Sequence, residues 1–185
     1  MEGPRDDEVL VRIAASGICH TDIDFIEDWA GGAVVLGHEG AGVVERVGDK
    51  VKSVKRGDHV VLSYQSCGDC IQCRNGHPAH CKHFWEANFG FQRLDGSNAL
   101  QRSGVLGHFF GQSSFATHSL ATERNASTEG GSREPRDRLF RSSASYGMMV
   151  LWLKAARKAG NHMLLKTGHF HFGRNSTFSL WLDIV

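Results

Sequence analysis

CGDCIQCRNGHPAHC, running from Cys67 to Cys81, holds four of the five cysteines of the chain in the spacing C-x2-C-x2-C-x7-C. A C-x2-C step lets two thiolates converge on one ion, and a third at the same interval closes most of a tetrahedron. The longer arm brings Cys81 round as the fourth ligand. Tetrahedral zinc held by four thiolates has no open position and is a structural centre. Gly68 and Gly76 suit the left-handed turns that such wrapping needs. Arg74 and Lys82 stand where they offset part of the negative charge of a tetrathiolate centre. Two disulfides are the competing assignment, and a reducing compartment disfavours them.

The rest of the composition narrows the class. The chain has 185 residues, a formal net charge of +1 and 41% apolar residues. That suits one core with an appendage, and the balanced charge gives no reason to expect a nucleic-acid partner. No apolar run approaches the ~20 residues of a membrane span. The first residues, MEGPRDDE, lack the basic and apolar regions of a signal peptide, so the expectation is a soluble, cytoplasmic protein without a membrane partner. The average hides a division. Beyond Asn125 there are nine Lys and Arg against four acids, which leaves the first 125 residues at −4. All five cysteines precede that break.

In chain order, Val9 to Ala14 (VLVRIA) alternates as a half-buried strand does. It leads into Ser16-Gly17-Ile18-Cys19-His20-Thr21-Asp22, read as a turn crowded with ligand-capable side chains. Gly31-Gly32 marks a loop. Val43 to Val47 reads as a short strand within glycine-punctuated sequence, and His59 to Tyr64 as another entering the cysteine lobe. Asn88 to Ser103 reads as a loop, Phe115 to Thr122 as a strand. Ala126 to Ser145 has a disordered composition. Met148 to Ala159 reads as a short helix ended by Gly160, and His169-Phe-His-Phe and Phe178 to Val185 have strand character. The fold class expected is mainly β, a small and partly open barrel carrying a zinc-binding lobe and followed by a poorly structured C-terminal tail. The expected division is residues 1–125 with the lobe at 67–81, then a divergent tail at 126–185.

Three motifs agree on a resemblance. GICHTD stands at Gly17 to Asp22. Gly37 to Val51 fits G-H-E-x2-G-x5-[GA]-x2-[IVSAC] at every fixed position: Gly37, His38, Glu39, Gly42, Gly48 and Val51. The cysteine lobe follows. Together they resemble the zinc-dependent medium-chain alcohol dehydrogenases through their GroES-like catalytic domain, from about Glu8 to Asn125. The stretch GHFFGQSSFATHSLATERN, Gly107 to Asn125, is most similar to the aryl- and benzyl-alcohol dehydrogenase branch.

The resemblance implies an NAD-dependent oxidoreductase that oxidises a small-molecule alcohol to an aldehyde, hydride passing to nicotinamide from an alkoxide on zinc. By resemblance Cys19 and His38 are ligands of that catalytic zinc, and Glu39 approaches it. Thr21 begins the proton relay, Asp22 orients the ligand histidine from behind, and His20 stands where a basic residue meets the cofactor pyrophosphate. Outside matched motifs a lone Cys or His is usually packed or solvated. His59, His77, His80 and His83 are accordingly read as surface or lobe residues.

The departures carry expectations too. The family takes a third catalytic ligand, usually cysteine, from beyond the matched region, and no cysteine follows Cys81. No G-x-G-x-x-G occurs in the 185 residues, so the Rossmann site for NAD is not among them. Met1 falls where the family already has earlier strands, which predicts an unpaired sheet edge. The expected chain is therefore an incomplete, inactive copy with its structural zinc filled and its catalytic zinc weakly held. A non-catalytic zinc-binding module is the alternative. The tail is a frameshift product or a segment with its own role, and the oligomeric state is unassigned.

Overall fold

The computed structural model describes residues 1–100 and 104–128, together with the backbone of two strands at His169–Phe172 and Ser176–Ser179. The elements follow in the order β1 (Glu8–Gly17), α1 (His20–Asp28), β2 (Ala33–Val34), β3 (Glu39–Val47), β4 (His59–Leu62), α2 (Ile71–Arg74), α3 (Phe84–Phe89), β5 (Val105–Leu106), β6 (His118–Thr122), β7 (Ala126–Thr128), β8 (His169–Phe172) and β9 (Ser176–Ser179). The sequence signal for a mainly β chain is met. Five strands form one antiparallel sheet in the order β6-β1-β3-β4-β7, β2 pairs with β5 in parallel, and β8 with β9 in antiparallel register.

Alternation sets the sheet. On β1, Val9 and Val11 are fully buried while Arg12 faces solvent. With Val44, Val60, Leu62 and Ala121 they make one hydrophobic cluster. Each fully buried Val or Leu contributes about 1.5–3 kcal/mol, so this cluster is the main source of the sheet's stability. Gly42 allows the strands to close: a Cβ there would run into the Arg12 carbonyl of β1.

Two register shifts, at Leu10/Val11 and Ile13/Ala15, interrupt the β1–β3 ladder. Such bulges bend a strand and re-aim its end. Beyond the second, Gly17 lies opposite Glu39, which carries the end of β1 to the start of β3.

The second cluster is aromatic. Leu36, Phe91 and Phe109 are buried and packed by Phe25, Trp29, Phe89, Phe110 and Phe115. Phe25 sits centrally, 5.0 Å from Phe109 and 5.6 Å from Phe89 between ring centroids.

Several expectations need correction. The Cys19–Asp22 stretch is no mere turn but the start of α1, with Cys19 as its N-cap. The apolar face of that helix is supplied by widely spaced aromatic residues, Phe25 and Trp29, which a short window does not register. Val43 to Val47 is the far part of a nine-residue strand, since glycines at 40 and 42 lower strand propensity without preventing pairing. Asn88 belongs to α3 and not to a loop. Ala126–Thr128, polar in composition, pairs with β4 as β7. β1 is paired on both sides, by β3 and β6, and the outer strands of the sheet are β6 and β7. His169–Phe172 is a strand as read. The helix expected at Met148 to Ala159 lies outside the described residues. Among the described residues no helix is long and apolar enough to cross a membrane.

Candidate metal centres

The first centre is the lobe. Cys67, Cys70, Cys73 and Cys81 converge with their sulfurs all within 4.8 Å of one another, and none is in a disulfide. The local fold follows from short-range geometry. Cys70 caps the single turn α2, which carries Cys73. Gly68 and Gly76 take φ of +74° and +80°, the left-handed conformation that their lack of a Cβ makes accessible. A 3-10 turn from Pro78 to His80 then delivers Cys81.

Cys67 Sγ lies 3.9 Å from Cys73 Sγ and 3.5 Å from Cys81 Sγ. Zn–S bonds of about 2.3 Å in a tetrahedron place sulfurs about 3.8 Å apart, so the cage fits zinc. Main-chain N–H groups are aimed at the sulfurs: Asp69 and Cys70 donate to Cys67, Lys82 to Cys70, and Cys67 and His83 to Cys81, all at 3.3–3.4 Å. The Lys82 N–H helps bring the Cys70 thiol down to about 6, whereas burial pushes Cys73 up to about 12 and raises Cys81. A cation among the sulfurs would supply the charge that burial denies these two thiols. Arg74 is engaged 3.0 Å from Asp69.

The second centre joins two segments. Cys19 caps α1, and His38 and Glu39 stand at the entry to β3. One ligand atom from each of Cys19, His38 and Glu39 lies within 4.8 Å of the other two. Gly17 makes room for this approach, because a Cβ there would collide with the Glu39 side chain.

Asp22 holds the arrangement from behind. It is wholly buried. One carboxylate oxygen accepts the Gly37 N–H at 3.0 Å and faces His38 Nδ1 at 3.2 Å; the other accepts the Cys19 N–H at 3.0 Å. Cys19 and the Gly37-His38 pair, from two segments distant in sequence, are thereby tied through one side chain. With Nδ1–H directed at the carboxylate, His38 keeps Nε2 free of its proton for a metal, the usual arrangement for a ligand histidine. Burial disfavours the charged ring of His38, but the Asp22 hydrogen bond and charge outweigh it and raise its pKa. Burial raises the Glu39 carboxyl. Each of these is a group whose ionisation a nearby cation would change, and a soft thiolate, an imidazole and a carboxylate are a zinc donor set.

The remaining sequence candidates are placed as follows. Thr21 Oγ1 is 3.8 Å from Cys19 Sγ. His20, at the first position of α1, is exposed and 3.4 Å from Asp24. Sequence reasoning missed the groups that enclose His38. The Phe110 ring stacks on the imidazole at 4.4 Å, and Phe109 meets it edge-on at 5.5 Å. His108, Phe110 and Ser113, none of them glycine, have φ between +52° and +61°, a strain characteristic of functional loops. Only the likeness of GHFFGQSSF to one branch of relatives hinted at this loop.

Comparison with known proteins identifies the family. The family profile of the alcohol dehydrogenase GroES-like domain matches residues 5–126. A geraniol dehydrogenase from Castellaniella defragrans is 50% identical over 127 residues, covering 66% of this chain and 34% of that protein. Among solved structures, an alcohol dehydrogenase zinc-binding domain protein from Burkholderia ambifaria aligns with TM-score 0.64 and 46% identity, over 71% of this chain and 37% of that one. The benzyl alcohol dehydrogenase of Acinetobacter calcoaceticus aligns with TM-score 0.61 and 41% identity, over 72% and 36% respectively. The chain thus spans about a third of the length of the relatives it matches.

Proposed function

The chain belongs to the alcohol dehydrogenase family with a GroES-like domain, and from that premise we propose that it forms the metal- and alcohol-binding part of a zinc-dependent, NAD-linked alcohol dehydrogenase. The observation that carries this reading is the convergence of Cys19, His38 and Glu39 with Asp22 locked behind them. The tetrathiolate lobe is closed to substrate, whereas three donors leave a fourth position for an alcohol. A zinc ion bound there supplies Lewis acidity that eases loss of the hydroxyl proton.

The protein side of the chemistry falls to the surrounding residues. Asp22 fixes the His38 tautomer and, through the Cys19 N–H, the position of the thiolate. Thr21 Oγ1, beside Cys19, receives the proton leaving the alcohol and passes its own outward. The Phe109 and Phe110 rings wall the His38 side of the centre, with Phe89 packed behind Phe110; they exclude water and favour a flat, unsaturated substrate. An aryl or allylic primary alcohol fits that wall, and two of the relatives are a geraniol and a benzyl alcohol dehydrogenase. The hydride acceptor, NAD, is assigned to a nicotinamide-binding domain outside the 185 residues, which contain no dinucleotide fingerprint. His20, exposed at the start of α1, would face that cofactor. The 185-residue chain is then not competent for turnover alone.

The test is cobalt substitution of the full chain. Two Co(II) ions per chain are expected, one with tetrathiolate charge-transfer bands and one with a mixed-donor spectrum that Cys19→Ala or His38→Ala abolishes alone. The second should leave first on dialysis. A single ion unaffected by those substitutions overturns the reading. It would favour a zinc-binding module without catalytic metal.

A further inference from the structure

We propose that Gln112 is a positioning residue for the second metal centre. The inference rests on the reading of Cys19, His38 and Glu39 as a metal site, and deepens it. Gln112 is 2% exposed, and its amide is saturated by the main chain around His38. Oε1 accepts the Gly40 N–H at 3.1 Å; Nε2 donates to the His38 carbonyl at 2.8 Å and to the Ser63 carbonyl at 3.0 Å. The side chain therefore brackets Glu39, gripping the residues on either side of it.

The fit is close. A Cβ on Gly40 would stand 2.6 Å from Ser114 Cβ and 3.0 Å from Gln112 Oε1, so the glycine lets the loop lie directly on the strand. The same loop carries Phe110, whose ring lies on the imidazole. The loop is itself anchored: Ser119 Oγ donates to the Gln112 carbonyl, and Ser113 Oγ to that of Val35. His38 is thus fixed at three places, its Nδ1 by Asp22, its ring face by Phe110 and its main chain by Gln112. The first two orient the ring. Gln112 sets where the His38–Glu39 backbone lies relative to Cys19, and hence whether both residues reach one ion together. A buried amide whose three hydrogen bonds all go to the main chain holds that backbone in place, because each bond lost leaves a buried polar group unsatisfied.

Cobalt titration of the full chain tests this without recourse to turnover. Gln112→Met keeps the volume and removes all three hydrogen bonds. Substitution of groups that orient metal ligands weakens affinity by about 10–100-fold, so the mixed-donor site should lose about tenfold in affinity and show shifted d–d bands. The tetrathiolate bands of the lobe should remain and report that the variant is folded. Val9→Ala, a cavity in the other hydrophobic cluster, should lower the melting temperature without changing mixed-donor affinity. Gln112→Glu, which keeps the acceptor for the Gly40 N–H and loses both donors, should weaken the site as well, and carries the test if Gln112→Met fails to form the lobe. Unchanged affinity and bands in the variant read overturn the proposal. So does an equal loss in Val9→Ala, which would make the effect one of global stability. If the unsubstituted chain takes up only one cobalt, the two-site reading itself fails, and this inference with it; that outcome is recognised before any Gln112 variant is made.

Discussion

Replacing Asp22 by alanine should destabilise the protein by about 3–5 kcal/mol. The carboxylate is wholly buried and meets two main-chain N–H groups and one ring nitrogen at 3.0–3.2 Å. Removing it leaves the Cys19 N–H, the Gly37 N–H and His38 Nδ1 facing an apolar gap. A buried donor left unsatisfied costs about 1–3 kcal/mol, and the Cys19 N–H among them is the tie at the start of α1. Three such donors set an upper bound near 9 kcal/mol, but relaxation and entry of water at the Cys19 end, which is partly exposed, bring it down. Asp22→Asn separates structure from metal chemistry. Its amide keeps one acceptor, so about 2 kcal/mol should be lost. If the amide N–H turns toward His38 it forces the proton onto Nε2, the atom needed by the metal. Asp22→Asn should therefore lose the second cobalt by more than its modest fall in stability implies. Urea unfolding of the zinc-loaded chain, followed by tryptophan fluorescence, measures the first quantity and cobalt titration the second. A loss below about 0.5 kcal/mol for Asp22→Ala would refute the view that this carboxylate organises the site, since that is the scale of an ordinary surface change.

Other outcomes follow from single features. Cys70→Ser should release one zinc per chain and open Cys67–Cys81 to proteases, because binding energy at a structural zinc is folding energy; unchanged zinc content would count against the lobe's role. His108 is buried, and burial with the nearby Arg93 charge lowers its pKa from 6.5 to about 4. The unfolded chain therefore binds more protons between those values, so stability should be full above pH 6.5, fall by about 3 kcal/mol as pH drops toward 4, and level off below. His108→Gln should flatten that window in urea midpoints taken at several pH values, and an unaltered slope would refute the assignment. Gly42→Ala should cost about 2 kcal/mol or more in thermal or urea unfolding, since its methyl meets the Arg12 carbonyl, whereas Gly76→Ala, with open space around it but φ of +80°, should lose only about 1 kcal/mol.

Sequence alone sufficed wherever chemistry is local. Four thiols within 15 residues, separated by glycines at 68 and 76, can close on one ion with little help from the rest of the chain, so the lobe is legible in the spacing. The alternation of Val9 and Val11 likewise marked β1, because a strand's two faces are written at a period of two residues. The Gly37–Val51 signature and GICHTD nominated Cys19, His38, Glu39 and Asp22 one motif at a time. Their assembly depended on distant pairing. The bulges in β1 bring Gly17 opposite Glu39, and Asp22 then reaches across 16 positions to His38. Gln112 is 74 positions from the His38 carbonyl it binds, and a single buried amide has no periodicity and no spacing by which a sequence could announce it. Phe110 is alike: its ring rests on His38 only because the strained loop from His108 to Ser113 folds back over β3. Candidate ligands could be named from residues in sequence; what holds them close to one another came from contacts that only the folded chain creates.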